Sequence, residues 1–226
     1  MKLNANTLFT TTALSALLSL GLCVPLSARA SQGHAPSTAG ALGVAGASKI
    51  TQTDAALRDL WLGHAFWVRT VVVATLSGNS AAAAAAETEA VNNAKQLAAS
   101  MEPYYGKPAA GEVFKLLAGH YGAIKQYLLA ARASDAAGQD AGRQAMIKNA
   151  EQIAAFLSSA NPHLPIDALR GMLLAHGGHH ILQIQQMAGK QYVQEAQTWE
   201  AMKDHMYAIA DALTLAIAKQ FPAKFE

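Results

Sequence analysis

Three features of the sequence predict an all-α helical bundle. Apolar residues recur at spacings of three and four, no segment alternates as a half-buried strand does, and short motifs repeat at a fixed interval of 56 residues. From Thr53 onward the helical pattern runs to the end. Leu57, Leu60, Trp61, His64, Val68, Val71, Val72 and Thr75 mark the apolar face of a first helix, which "LSGNS" stops. "AAAAAAETEAVNNAKQLAASM" supplies a second helix from strong helix formers. "EPYYGKPAAG" is expected to break the chain, "GEVFKLLAGHYGAIKQYLLAARA" to resume it and "SDAAGQDAG" to turn it again. A fourth helix is expected over about 143–159, ended by "SANPHLP", and the last two over 167–188 and 194–220.

The amino terminus reads as a secretory signal. Lys2 precedes an apolar stretch from Leu8 to Leu26, and "SARA" places Ala28 and Ala30 at the −3 and −1 positions of a cleavage site. Cleavage after Ala30, and a periplasmic or secreted location, are therefore expected. Leu22 before Cys23 is too bulky for a lipoprotein site, and Pro25 with the small residues around it argues against a retained membrane span. Residues 31–52 read as a Gly/Ala/Ser-rich leader, and 53–222 as a single helical domain.

Processing removes Lys2 and Arg29, so 17 basic residues become 15 and match the 15 Asp and Glu. A near-neutral chain gives no electrostatic case for nucleic acid or anionic lipid as partner. Cys23, the only cysteine, leaves as well, so disulfide and thiolate chemistry are excluded from the processed protein.

The repeat organises the chemistry. "DLWLGHAF", "KLLAGHYG" and "GMLLAHGG" place His64, His120 and His176 at intervals of 56 residues, and "NAKQLAA", "NAEQIAA" and "HMYAIAD" place Asn93, Asn149 and His205 at the same interval. The reading is three pseudo-repeated antiparallel hairpins, about 54–107, 110–163 and 166–221, with about six helices. The midpoints between paired markers fall at 78.5, 134.5 and 190.5, in or beside expected turns. His64 should then face Asn93, His120 face Asn149 and His176 face His205, in one polar layer if the hairpins share an axis. A solenoid stack would spread that layer out.

A buried imidazole needs a partner, and an asparagine amide serves either ring nitrogen. One reading is therefore a structural or protein-interaction module whose His/Asn pairs only fix hairpin register. The other is a transition-metal or small-ligand site. The third repeat favours the latter, because His205 replaces asparagine and "HGGHH" adds His179 and His180; residues 176 and 180 lie one helical turn apart on one face. The ligand set reads as His176, His180 and His205, then His64 and His120, with Asn93, Asn149 and His179 as supporting partners. An all-imidazole site suits zinc, copper or nickel better than calcium or magnesium.

Other chemistries lack their residues. There is no Glu-x-x-His for a ferritin-type di-iron site and no Cys-x-x-Cys-His for covalent haem, while non-covalent haem through His176 or His180 has no independent support. No Ser-His-Asp set, phosphate loop or acid–base carboxylate pair is visible, so a non-enzymatic role is the better reading. Trp61, Trp67 and Trp199 read as core, Arg69 as an exposed or snorkelling side chain and His163 as a loop residue. A protein partner or a homo-oligomer is compatible with this sequence.

The segments "LWLGHAFWVRTVVV", "EPYYG", "LLAGH", "NAEQIAAFLSS" and "IADALTLAIAKQFP" resemble those of a poorly characterised bacterial helical-bundle family with the pattern Leu-Trp-x-x-His-x-x-Trp-Thr-Arg. The resemblance spans about 57–222 and marks Leu60, Trp61, His64, Trp67, Arg69, Tyr105, Gly106 and His120. Val68 stands where the family has Thr. The resemblance implies a helical bundle and names no activity.

Overall fold

The structure, a computed structural model, describes residues 48–226. The expected signal peptide and leader residues 31–47 lie outside the described residues. Five α-helices follow one another: α1 Lys49–Leu76, α2 Ser80–Arg132, α3 Ala136–Ala160, α4 Ile166–Ala188 and α5 Tyr192–Gln220, then a 3-10 turn at Pro222–Lys224. No strand occurs among the described residues, as the missing period-two pattern predicts.

Local chemistry sets the boundaries. Ser48 accepts from the Thr51 amide and starts α1, so residues expected to end the leader form the first helical turn instead. Asn79 caps α2 through Ala82 N–H, and Asp135 caps α3 through Gly138 N–H. The Asp135 cap explains why α3 begins at Ala136 although "SDAAGQDAG" reads as a turn. Left-handed residues stand in three of the turns: Gly78 (φ 77°), Ser134 (φ 56°) and Lys190 (φ 57°).

The expected break at "EPYYGKPAAG" shrinks to one residue. Gly106 (φ 82°, ψ 167°) alone leaves helical geometry, dividing α2 into limbs 80–105 and 107–132. That conformation is open only to glycine. Pro108 sits in the first turn of the second limb, where its missing N–H costs nothing.

Each helix packs on the next, and α5 also packs on α1, so the first and last helices are neighbours. Two forked ion pairs cross that closing seam. Arg58 donates to Asp211 at 2.6 and 2.7 Å, and Arg69 donates to Glu195 at 2.6 Å from both Nε and Nη2. The interior is divided into two apolar clusters. One contains Leu57, Trp61, Leu117, Leu173, Met202 and Met206; the other contains Val68, Val71, Ile124, Tyr127, Leu128 and Ile184. On α1, α2 and α4 the buried histidines fall between the members of these two clusters.

Candidate metal centre

His64 on α1, His120 on the second limb of α2, and His176 and His180 on α4 project into the seam between the apolar clusters, with exposures of 3, 4, 1 and 2%. One ring nitrogen from each lies within 4.8 Å of those of the others. All six ring-centroid separations fall between 4.4 and 5.8 Å. The Nε2 atoms of His176 and His180, one turn apart on the same face, approach to 3.1 Å. Four nitrogens about 2.0–2.1 Å from a tetrahedral ion stand about 3.4 Å apart, so small side-chain adjustments would close this group around one ion.

Electrostatics keeps these rings neutral. Burial pushes His64 down to about 3, with a further contribution from His120. Burial likewise takes His120 to about 4, against a smaller upward pull from Asn149. His176 and His180 are held well below the ordinary histidine range, first by burial and then by the surrounding imidazoles. A neutral imidazole offers a lone pair, the form a metal needs. One hydrogen bond uses part of that capacity, between the Nε2 atoms of His176 and His180, while His64 Nε2, both nitrogens of His120 and His176 Nδ1 are buried without a partner. Each such atom costs on the order of 1–3 kcal/mol if nothing else satisfies it.

The structure corrects the expected His–Asn pairing. Asn93 lies across from α1, but its Nδ2 donates to Leu60 O at 2.9 Å rather than to His64. Asn149 likewise donates to Leu116 O at 3.0 Å, and its carbonyl oxygen, like that of Asn93, is left without a partner. The two asparagines therefore tie helices together through backbone carbonyls, and of the two Asn149 also stands close enough to His120 to pull its titration upward. Close approach makes this feasible: a Cβ at Gly63 or Gly119 would stand 3.0 or 3.1 Å from the amide nitrogen.

His205 is also displaced from its expected role. Its Nε2 is committed to Met172 O at 2.8 Å, and it is absent from the group of four. Its ring stacks 6.3 Å from that of His176 and lies 5.4 Å from that of His179, a half-buried residue outside the seam. His163 lies in the exposed turn between α3 and α4, as expected.

One buried polar set was not foreseen. Glu195, 2% exposed in the first turn of α5, accepts both Arg69 bonds and a third from Gln183 Nε2 at 3.1 Å, and the Arg69 guanidinium lies 5.2 Å over Trp199. Arg69 is thus a tied partner rather than a free surface charge. Trp61 and Trp199 pack in or against the apolar cluster that contains Leu117 and Met206, and Trp67 against the one that contains Val68 and Tyr127, as core residues.

No family model, curated protein or solved structure matches the chain.

Proposed function

We propose that this protein binds one transition-metal ion through His64, His120, His176 and His180. The carrying observation is the convergence of four buried imidazoles with ligand atoms within 4.8 Å of one another and four of their ring nitrogens left without hydrogen bonds. The all-nitrogen donor set favours zinc, copper or nickel. Four protein ligands would complete a tetrahedral ion and leave no open coordination position, which fits binding or storage better than catalysis. Among the described residues, none of the four rings donates to a carbonyl or carboxylate, the bond that usually fixes a ligating imidazole. Such outer partners are worth about 10–100-fold in affinity, so the ion is held exchangeably.

The site sits in a chain read as three 56-residue hairpins. That reading is supported by three helix-to-helix bonds at one spacing, Asn93 to Leu60 O, Asn149 to Leu116 O and His205 to Met172 O, and by left-handed turn residues at 78, 134 and 190. Export and removal of residues 1–30 would place the protein in the cell envelope or outside the cell; the candidate cleavage site supports this. The motif resemblance fits the same helical reading. No helix among the described residues is long and apolar enough to cross a membrane.

Calorimetric titration of residues 31–226 with zinc, copper and nickel tests the proposal. The expected result is one site at pH 7.5 for at least one of these ions, weakening as pH falls below about 6.5 and absent in His120→Leu. Equal binding by His120→Leu would place the ion elsewhere.

A further inference from the structure

The four histidines of the centre are walled between apolar clusters, so an ion must reach them past some set of donor atoms. We propose that His179 and His205 form a capture pair that passes the ion to the centre, with His205 handing it to His176; this rests on the metal-binding reading above. The steps are laid out in space. His179 and His205 are half-buried, their rings are 5.4 Å apart, and His205 stands 6.3 Å from the 1%-exposed His176. Two imidazoles sharing an ion at about 2.1 Å from each nitrogen have ring centres about 5–6 Å apart. The first pair already satisfies that spacing, and the second lies at its outer edge.

The tautomer of His205 is suited to the task. Met172 O can only accept, so Nε2 carries the proton and the lone pair of the neutral ring is on Nδ1. A backbone carbonyl holding one ring nitrogen is the usual support of a ligating imidazole. His205 has that support, whereas the four centre residues do not.

Comparison along the chain shows that the structural job does not require histidine. Asn93 and Asn149 make the corresponding bonds to Leu60 O and Leu116 O at 2.9 and 3.0 Å, beside Gly63 and Gly119. At the third position the imidazole makes the same bond and adds a donor nitrogen that an amide lacks, beside Ala175. The other polar strip near the seam has no such capacity to spare: Gln183 and Arg69 both donate to Glu195.

Stopped-flow uptake of cobalt(II), followed through the visible absorption of the tetrahedral ion, tests the route. The variants are Ala175→Gly/His205→Asn, which recreates the chemistry of the other two positions, and His179→Gln at a half-buried site. The expected outcome is uptake slowed at least about tenfold in both variants, with the final absorbance, set by the four centre residues, retained. Uptake at the wild-type rate would overturn the route while leaving the centre intact. Loss of the final absorbance in the His205 variant, with its helical content unchanged, would also overturn it, by making His205 a ligand of the centre. Failure of the wild-type protein to develop the cobalt spectrum would instead sink the centre, and the route with it.

Discussion

Both ring nitrogens of His120 are buried without a hydrogen bond, so this residue opposes stability in the metal-free protein. Leucine has a similar volume and no polar atom to satisfy. His120→Leu should therefore stabilise the metal-free protein by about 1–2 kcal/mol, read by urea denaturation, while abolishing metal binding. A histidine retained only for structure would give the opposite sign. Acid should act through the same residues. Histidines in the unfolded chain take up protons near 6.5, whereas folded His64 and His120 resist until about 3 and about 4. Between those values the unfolded state binds more protons. The contribution of these two residues is therefore full above pH 6.5 and is lost as pH falls toward 3, at up to about 1.4 kcal/mol per pH unit for each. Denaturation midpoints of the metal-free protein from pH 7.5 to 4 check this slope; a flat profile would contradict neutral burial. The sequence marked all four centre histidines because their spacing put them in one apolar layer. It could not exclude His205, since helical periodicity does not tell a nitrogen that joins the group of four from one aimed at Met172 O. Glu195 escaped notice for a similar reason: a lone Glu in a helix's first turn looks solvated until its Arg69 partner, 126 residues away, is known.

At the scale of elements, turns at 78, 134 and 190 use one left-handed residue each, but only the first is glycine. A side chain in that region costs about 1–2 kcal/mol through its Cβ. Ser134→Gly and Lys190→Gly should each raise stability by about 0.5–1 kcal/mol, the greater chain entropy of glycine in the unfolded state offsetting part of the relief. Differential scanning calorimetry checks this, and lower melting temperatures for both variants would show that the serine and lysine side chains hold the turns. The positions of these turns were legible because symmetric motif pairs fix their midpoints. The continuity of α2 was not. Two prolines and two glycines in "EPYYGKPAAG" read as a ten-residue interruption, but Pro108 occupies a first-turn position and only Gly106 departs from the helix. Proline's local effect depends on where the helix restarts, which composition does not reveal.

Across the whole molecule, the contact between α1 and α5 brings residues more than a hundred positions apart into one interior, and α1 also meets α4, which puts His64 beside His176 and His180. An all-α fold was evident from periodicity, whereas this closure brings Leu57 and Trp61 into one apolar cluster with Met206 and Leu213 and is crossed by the Arg58–Asp211 and Arg69–Glu195 pairs, none of which a local pattern encodes. The apolar clusters on either side of the imidazoles would exclude water from a bound ion and strengthen its bonds, at the cost of burying polar rings when the ion is absent. A bound ion should accordingly raise the melting temperature in proportion to the logarithm of its free concentration. The most direct measurement is metal content by mass spectrometry on untagged residues 31–226, purified without chelator, beside His120→Leu, with melting recorded during titration of zinc, copper and nickel. The expected result is about one ion per wild-type chain, lost in the variant and accompanied by higher melting on titration. A wild-type protein that carries no metal and whose melting none of the three ions shifts would contradict it.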